Sequence, residues 1–458
     1  MLQKTLHIAV EARLISAHNE GMGIYTYLSN VLLGLQNKYN VNLHGEAPRY
    51  HFYLLGINEI NLKRLGLLAE HCTVTLLPVS ENNIYTYDKV AYFKVFQETV
   101  IAIKPKIDIV FFPHIEFPKD SHLWRKHGIK VVCVVHDLIP TYFIAPSVIL
   151  RGIFSGRIRL EAMSSEGVSY YTRIKFNHRY WDKIITVSKT SERHLLKVIG
   201  FKQKPKVIVT PLGADETFRP YDKKTWDNWL PTLMAKRFDP TCYSHNDEYH
   251  ASLKDPNSAQ VVGDPLRYKE YIVYYGGYGL RRNIVLAIRA CLEVLAELPQ
   301  FQHIKIVMVG YGIRTRTLIE QGLHKDLVFL KFMTKQELAI LIAGAKFTLQ
   351  PPLIEGFGLP ILESVRLNTP PLCSDIETTP AIIGRKYPRF NPYRLKDIKR
   401  VIKYFLTCPP AELTRLLTEA KDNAKHFSWE KTATLTHEAL SSLFSNEVND
   451  NEVRNKNR

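Results

Sequence analysis

Apolar and polar positions along the chain fall into two recurring patterns. The first is a short, continuous apolar run, as in IDIVFFPH and KVVCVVHD, which is typical of a parallel strand buried on both faces. The second repeats apolar residues every three or four positions, as in KTSERHLLKVIG and NIVLAIRACLEVLAEL, and predicts amphipathic helices. The two patterns alternate through both halves of the chain. This order predicts an α/β fold with two doubly wound, Rossmann-like domains.

A polar, proline-containing stretch separates the two halves. We predict an N-terminal domain over residues 1–218, a linker enlarged by an insertion over residues 219–268, and a C-terminal domain over residues 269–428. A further helix is predicted over residues 429–446. Residues 447–458 are polar, and we expect this tail to be disordered because it cannot bury enough apolar surface to fold.

The chain is strongly basic. Its 458 residues carry a net charge of +17 with a pI near 9.4, which favours an anionic partner such as a nucleotide, a nucleic acid or an acidic membrane surface. The 6 cysteines form no C-x-x-C pair, so neither a zinc site nor a disulfide framework is predicted. Because the sequence shows no secretory signal and no membrane-spanning apolar run, we expect a cytoplasmic protein.

Two acids, Glu355 and Glu363, flank a glycine-containing turn in PPLIEGFGLPILESV. Gly356 and Gly358 permit close approach of the backbone to a ligand, and Pro360 suits the first turn of a helix. We therefore predict a strand, a loop and a helix that begins near Pro360, with an anion site at the helix N-terminus. In the alternative interpretation, Glu363 only complements the helix dipole and Glu355 is a solvated loop acid.

A second glycine-rich turn, in YYGGYGLRRNI, ends in two arginines. Arg281 and Arg282 directly precede a predicted helix, where guanidinium groups and free backbone N–H groups suit phosphate oxygens. The alternative is a solvated basic pair.

Two further stretches follow predicted strands of the N-terminal half. His136 and Asp137 stand at the carboxyl end of a buried strand, where open α/β sheets bind ligands. The alternative for His136 is a purely structural histidine. Gly23 lies in GMGIYTY, in which Thr26 replaces the third glycine of a dinucleotide-binding loop. We therefore expect Gly23 to approach a ligand other than a nicotinamide.

Several motifs of phosphate and metal chemistry are absent from the sequence. It has no Walker-type phosphate loop, no Asp-x-Asp and no His/Cys spacing that fits a metal site. We therefore expect no cofactor and no metal. If the protein handles a diphosphate, we expect arginines and backbone amides to stabilise its charge.

Five motifs occur together and in order, and as a set they resemble the retaining glycosyltransferases of family 4, which have the GT-B fold. They are, in chain order, VVHDLIP, WDKIITVSKTSERHLL, KVIVTPLGADETFRP, GYGLRRNI and EGFGLPILE. The resemblance runs from about Ile8 to His437, apart from the inserted linker. It implies that two Rossmann-like domains face a cleft, with the acceptor on the N-terminal side and the nucleotide sugar in the C-terminal domain. It also implies that the last helix returns to the N-terminal domain.

The resemblance implies roles for residues of the EGFGLPILE motif. Glu363 would bind the ribose hydroxyls of the nucleotide. Glu355 would hold the donor sugar, helped by the backbone amides around Phe357, Gly358 and Leu359.

The other motifs receive roles in the same way. Arg281 and Arg282 would neutralise the diphosphate leaving group. Since Arg282 stands where the family usually has lysine, either arginine could carry the contact, and we favour Arg282. His136 would face the sugar from the opposite domain, with Asp137 beside it on the acceptor side. Gly23 would let the first loop approach the phosphates.

The function implied is transfer of a sugar, with mannose from GDP-mannose favoured, to a glycan or lipid-linked acceptor with retention, in surface polysaccharide or lipopolysaccharide synthesis. His136, Glu355 and Arg282 are the catalytic candidates. The basic and aromatic residues within 145–180 suit an acceptor site or an anionic membrane surface at the inner face of the cell membrane, or else a plain solvated helix. Two alternatives are a nucleotide-sugar epimerase or hydrolase of the same fold, and a basic nucleic-acid or membrane-binding protein. Because the sequence contains no nucleic-acid-binding motif, we expect no nucleic-acid partner.

Overall fold

The computed structural model describes residues 5–13, 15, 23–40, 49–57, 62, 65–75, 77, 89–115, 122–139, 165–238, 264–310 and 313–444. The chain divides into two units. The first comprises Met1–Gly213 together with Ser428–Arg458, and the second comprises Ala214–Phe427. The second unit is therefore continuous in sequence, whereas the first is built from two separate segments.

The first unit contains a sheet of seven parallel strands in the order β3-β2-β1-β4-β5-β6-β7. The strands are β1 (Leu6–Glu11), β2 (Tyr50–Leu55), β3 (Cys72–Thr75), β4 (Ile109–Phe112), β5 (Lys130–Val135), β6 (Lys183–Thr186) and β7 (Val207–Val209). The strand order reverses between β1 and β4, which is the doubly wound topology. β4 is buried along its whole length and β5 in all but its first residue, as continuous apolar runs predict for a sheet covered on both faces.

Helices cover the first sheet. They are α1 (Gly23–Tyr39), α2 (Lys89–Ala102), α3 (His122–Lys126), α4 (Ser165–Asn177) and α5 (Lys189–Ile199). Large aromatic side chains fill the space between helices and sheet, and Phe96, Phe112, Trp124 and Trp181 are fully buried there. The Ser188 hydroxyl caps α5 by accepting a backbone N–H of its first turn at 3.0 Å, which explains why this helix begins directly after β6.

The second unit contains five parallel strands in the order β10-β9-β8-β11-β12. The strands are β8 (Tyr271–Tyr274), β9 (Lys305–Val309), β10 (Leu327–Leu330), β11 (Phe347–Gln350) and β12 (Pro371–Cys373). The helices are α6 (Lys223–Met234), α7 (Ile284–Glu297), α8 (Ile313–Glu320), α9 (Lys335–Gly344), α10 (Leu359–Arg366), α11 (Thr379–Ile383), α12 (Leu395–Thr407) and α13 (Pro410–Ala424). The two Rossmann-like folds predicted from the sequence are thus both present.

Residues 219–238 belong to the second unit, although we predicted residues 219–268 to be a linker. The Trp226 side chain of α6 is buried, and its indole N–H donates to the Tyr271 hydroxyl at 3.1 Å. Leu233 is buried as well. The linker prediction is wrong for this part because the prolines and polar residues of the stretch obscured a helical pattern. Its apolar residues recur every three or four positions and pack against the core of the second unit, at Trp226, Trp229, Leu230, Leu233 and Met234. Most of the remaining predicted linker lies outside the described residues.

The last described helix, α14 (Trp429–Ser441), lies in the first unit against α1. The two helices approach so closely that a Cβ added to Gly34 would lie 2.7 Å from the Cβ of Ala433. This helix occupies part of the range 429–446 that the sequence indicated. The tail predicted to be disordered, residues 447–458, lies outside the described residues.

The chain leaves the first unit and returns to it at one place. Gly213 is the last residue before the second unit, and Ser428 is the first residue after it. A Cβ added to Gly213 would lie 2.3 Å from the backbone nitrogen of Trp429, which is far inside any tolerable contact. Glycine is therefore required at this crossing. The domain boundary predicted at residue 218 lies slightly beyond it.

Candidate functional site

The predicted donor-binding residues lie on the loops that follow two neighbouring strands. β8 and β11 are adjacent in the second sheet, so their carboxyl ends lie side by side. After β8, the 3₁₀ turn Leu280–Arg282 leads into α7. After β11, a loop leads into α10. A hydrogen bond joins the two loops, from the Leu353 N–H to the Arg281 carbonyl at 2.7 Å.

Asn283 connects the arginine turn to α7. Its backbone is left-handed, with a φ of 51°, a region that asparagine tolerates better than most residues. Its buried side-chain amide donates to the Pro392 carbonyl at 2.7 Å. The local sequence Arg-Arg-Asn therefore holds both arginines immediately before a helix N-terminus.

Glu355 accepts hydrogen bonds from both arginines. Arg281 Nη1 lies 3.0 Å from Glu355 Oε1, and Arg282 Nη1 contacts the same oxygen. The side chains are 12% exposed for Glu355, 17% for Arg282 and 30% for Arg281. A solvated basic pair and a solvated loop acid do not describe this cluster. One carboxylate balances one of the two positive charges, so the three side chains together remain cationic.

The N-terminus of α10 is shaped by glycine. The helix begins at Leu359, one residue earlier than predicted, and Gly358 precedes it with a φ of 113°. A Cβ at Gly358 would lie 3.1 Å from Ile382 Cδ1, so both the backbone conformation and the available space favour glycine. Phe357 is buried with its ring edge-to-face against Phe427, at a centroid distance of 5.3 Å. No side chain caps this helix end among the described residues, which leaves backbone N–H groups suited to an anion.

Glu363 lies on α10 in an unusual electrostatic setting. Burial raises the pKa of its carboxyl from 4.5 to about 7, although the Tyr275 hydroxyl and the charge of Lys335 favour the carboxylate. The Pro360 carbonyl, 2.6 Å from the Tyr275 hydroxyl, is a second acceptor for the single proton of that hydroxyl. Lys335 Nζ pairs with Asp215 Oδ2 at 3.0 Å. The carboxyl of Glu363 therefore changes its protonation state near neutral pH, and it lies beyond the first turn of α10.

His136 follows β5 at the carboxyl edge of the first sheet. Its Nε2 lies 2.9 Å from the Pro113 carbonyl oxygen, which can only accept, so Nε2 carries the proton. Burial first, and then nearby His114, lower the pKa of His136 to about 4. The Tyr27 ring packs edge-on against the imidazole at 4.9 Å. His136 is therefore neutral at pH 7, and its Nδ1 is a hydrogen-bond acceptor.

Asp137 and Gly23 have mainly local surroundings in the same unit. Asp137 Oδ1 accepts the Ile139 N–H at 2.9 Å, and the Asp137 carbonyl accepts from the Tyr170 hydroxyl at 2.7 Å. These bonds fix the loop after β5. Gly23 is the first residue of α1 rather than part of a loop, and no atom of the described residues lies within 4 Å of a Cβ added there. The residues immediately before it lie outside the described ranges.

The structure brings part of the predicted site together. Arg281, Arg282 and Glu355 are in contact. Further along the same segment, in chain order, come Phe357, Gly358, Leu359 and Glu363. The remaining predicted residues belong to the first unit, and these are His136, Asp137 and Gly23.

Sequence reasoning missed three side chains around Glu363, namely Tyr275, Lys335 and Asp215. Tyr275 had a usable signal, because it ends the apolar strand directly before the glycine turn. Lys335 and Asp215 had none, since they are 120 residues apart in sequence and only the fold makes them neighbours.

Within the described ranges, no group of three or more His, Cys, Asp or Glu side chains is arranged to hold a metal ion. In the same part of the chain, none of the helices has the length and apolar character needed to cross a bilayer.

Residues 265–427 match the family model described as "Glycosyl transferases group 1". The matched range includes the arginine turn, Glu355 and Glu363. It confirms the resemblance inferred from the motifs at the level of this group. Residues 265–427 are therefore a group 1 glycosyl transferase domain.

Two similar proteins from Escherichia coli are named as mannosyltransferases. The "Serotype-specific mannosyltransferase WbdA" is 26% identical over 337 residues, which is 72% of this chain and 35% of the relative. The "O-antigen chain mannosyltransferase B" is 27% identical over 187 residues, which is 39% of this chain and 47% of that relative. The chain thus spans less than half the length of either relative in these alignments.

Among solved structures, Anabaena Alr3699/HepE in complex with UDP and glucose superimposes with a TM-score of 0.61 at 13% identity, covering 96% of this chain and 100% of HepE. At this level of identity the likeness shows the fold alone. The GT-B fold expected from the sequence is confirmed.

Proposed function

Because residues 265–427 form a group 1 glycosyl transferase domain in a chain of GT-B fold, we propose that the protein transfers mannose from GDP-mannose to a glycan or lipid-linked acceptor with retention. The product would be part of a surface polysaccharide or lipopolysaccharide. The enzyme would act in the cytoplasm, at the inner face of the cell membrane. The names of both Escherichia coli relatives support mannose as the sugar and polysaccharide assembly as the setting.

The contact of Glu355 with Arg281 and Arg282 is the observation that carries this proposal. A guanidinium group has five N–H donors in one plane, so a carboxylate that engages one of them orients the others. The remaining donors suit the oxygens of a diphosphate. Negative charge that develops on the leaving diphosphate would then meet donors already in place, which lowers the barrier. In this proposal the two guanidinium groups do the work that a metal ion does in other transferases.

Glu363 is the proposed acceptor for the ribose hydroxyls. Burial disfavours its charged form, as its pKa of about 7 indicates. Two donating hydroxyls would stabilise the carboxylate, so nucleotide binding would lower the pKa of Glu363. Affinity for the nucleotide should therefore increase as the pH rises through 7.

His136 is the proposed contact to the sugar. Its Nε2 proton is committed to the Pro113 carbonyl, and its pKa of about 4 keeps the ring neutral. The acceptor at Nδ1 suits a sugar hydroxyl. His136 would thus position the donor sugar and would not protonate a leaving group at neutral pH.

Donor binding and sugar transfer can be tested in two successive experiments. In a thermal-shift panel, GDP-mannose should raise the melting temperature more than UDP-glucose or another nucleotide sugar, because a ligand of the native state adds to apparent stability. Transfer from GDP-mannose to a mannan oligosaccharide should then give an α-linked product by NMR. Release of free mannose or an epimer without acceptor would instead favour the hydrolase or epimerase. Stabilisation by UDP-glucose alone would refute the mannose donor.

A further inference from the structure

The amino edge of the first sheet is strongly cationic. Four segments enter β4, β5, β6 and β7 there, over residues 103–108, 122–130, 175–183 and 200–206. Together they contain eleven lysines and arginines but only two aspartates. We call this surface the basic edge. Its cations are Lys104, Lys106, Arg125, Lys126, Lys130, Lys175, Arg179, Lys183, Lys202, Lys204 and Lys206.

Backbone oxygens, rather than carboxylates, hold several of these cations. Lys175 Nζ donates to the Val198 carbonyl at 2.8 Å, and Arg125 Nη2 donates to the Arg179 carbonyl at 2.9 Å. Lys206 Nζ donates to two carbonyls, each at 3.1 Å. Carbonyl groups carry no net charge, so these bonds orient the side chains without neutralising them. Crowding is evident at Lys206, whose pKa is lowered by burial and then by the charge of Arg125.

Two phenylalanine side chains project from the same surface. Phe176, at the end of α4, is 57% exposed, and Phe201, which opens the 3₁₀ turn Phe201–Lys206, is 63% exposed. They are the most exposed large hydrophobic residues in the described part of the chain. The bond from Lys175 to the Val198 carbonyl joins the segment that carries Phe176 to the end of α5, three residues before Phe201. Each phenylalanine follows or precedes a lysine directly in sequence, so apolar and cationic groups alternate on this surface.

We propose that the basic edge binds an anionic lipid bilayer, with Phe176 and Phe201 inserted among the headgroups. Lysine and arginine are attracted to anionic headgroups, and exposed aromatic rings gain by leaving water at the membrane interface. A nucleic acid would also attract the cations, but the two projecting phenylalanines flanked by lysines favour a bilayer.

Membrane binding by the basic edge does not depend on the proposed function. Only its purpose does, which is to bring the enzyme to a lipid-linked acceptor. β5 runs from Lys130 on the basic edge to Val135 beside His136. At about 3.3 Å per residue, roughly 20 Å of strand separates the bilayer from His136. An acceptor anchored in that bilayer must therefore carry several sugars to reach His136.

Vesicle co-sedimentation of the full-length protein, without any nucleotide sugar, tests the charged part of the surface. Wild type should bind phosphatidylcholine vesicles that contain phosphatidylglycerol, bind pure phosphatidylcholine weakly, and lose binding at high salt. The triple variant Lys126→Ser, Lys202→Ser and Lys204→Ser should weaken binding about a hundredfold, at about fivefold per cation. A matched control removes three exposed cations of the second unit, Lys325, Arg385 and Lys386.

The aromatic part needs its own variants. Phe176→Ser with Phe201→Ser should weaken binding by roughly tenfold or more, whereas Phe332→Ser, which removes an exposed phenylalanine of the second unit, should leave it unchanged. Equal losses in the test and control variants, or equal binding to neutral vesicles, would overturn the proposal. So would binding to a generic RNA duplex that depends on the three lysines while vesicle binding does not. The lysine and phenylalanine variants of the basic edge should retain sugar transfer to a soluble glycan. If the wild-type protein shows no transfer at all, the proposed function fails, but the vesicle-binding result still tests the basic edge.

Discussion

The carboxyl edges of the two sheets share a topology but differ in chemistry. In the second sheet this edge gathers two arginines and a glutamate in contact, with a second glutamate on the following helix. In the first sheet it presents a neutral His136 and an Asp137 whose carboxylate accepts a bond from its own loop. We call the first group, in the second sheet, the charged platform, and the second group, in the first sheet, the neutral platform. In the proposed function, the charged platform of the second sheet would bind phosphate, and the neutral platform of the first sheet would bind sugar hydroxyls.

The largest effect should come from breaking the charged platform. Arg282→Ala should lower kcat by about 10²–10³, the scale of losing one donor that acts in the transition state. Arg282→Lys should recover part of this rate because it keeps the charge, and Arg281→Ala should be milder, since Arg281 is the more exposed partner. Steady-state transfer to a fixed acceptor measures the rates, with folding checked by circular dichroism. An inactive Arg281→Ala beside a fully active Arg282→Ala would reverse the assignment.

Removing the second glutamate should weaken binding rather than turnover. In the proposed function, Glu363→Ala would leave the ribose hydroxyls without a charged acceptor, which costs about 1.5–3 kcal/mol, or on the order of 10–100-fold in affinity. Calorimetric titration with GDP-mannose measures this loss, and Glu337→Ala serves as a control because that carboxylate caps α9. Donor affinity equal to wild type would remove Glu363 from the site.

The charged platform should also respond to pH. Since the free carboxyl of Glu363 has a pKa of about 7, affinity for the nucleotide should rise by about tenfold from pH 6 to pH 8. Glu363→Gln should abolish that rise.

Stability should move in the opposite direction. The pKa of this acid is raised above its unfolded value of 4.5, so its contribution to the free energy of unfolding is full below pH 4.5 and is lost as the pH rises through 7. Denaturant titrations at pH 6 and pH 8, with Glu363→Gln as the reference, measure this change in the free energy of unfolding. If the affinity of the wild-type protein for the nucleotide does not change between pH 6 and pH 8, the proposed titration of Glu363 is wrong.

The neutral platform should give a smaller effect. In the proposed function, His136→Ala would remove one hydrogen bond to a sugar hydroxyl, worth about 1 kcal/mol or roughly fivefold in kcat/KM. Because the pKa of His136 is about 4, its titration should leave no limb near pH 6.5 in the pH–rate profile of wild type. A limb at that pH which disappears in His136→Ala would show that the imidazole acts as an acid or base after all.

Removal of divalent metal ions should have no effect on the rate of sugar transfer. If the two guanidinium groups stabilise the leaving diphosphate, transfer should proceed at full rate in excess EDTA. Loss of activity in EDTA with recovery on adding Mn²⁺ would show that the charged platform needs a metal ion.

Sequence predicted the elements whose signals are local. Continuous apolar runs located β4 and β5, and with them the position of His136 at a strand end. The order of glycines, arginines and asparagine located the turn before α7. What the sequence did not show was the contact between Glu355 and the arginines, because more than seventy residues separate them and neither partner has a local reason to prefer the other.

The same limit explains the missed surroundings of Glu363 and the missed helix α6. Asp215 and Lys335 become neighbours only through the fold. In α6, apolar residues recur at helical spacing from Trp226 to Met234, but the partner of Trp226, the Tyr271 hydroxyl, is set by the fold. Periodicity reports which face of an element is buried, whereas the identity of its partner is a property of the tertiary structure.

During synthesis on the ribosome, the two units become complete at different times, because only the first is built from two separate segments. The second unit emerges in one piece and can complete its own core. Meanwhile α1, made near the start, lacks the helix that covers it until α14 emerges, a delay of roughly 20–80 seconds at about 5–20 residues per second. During that time the face of α1 around Gly34 is open to wrong partners. The half of the protein that is made first is therefore the half that is finished last.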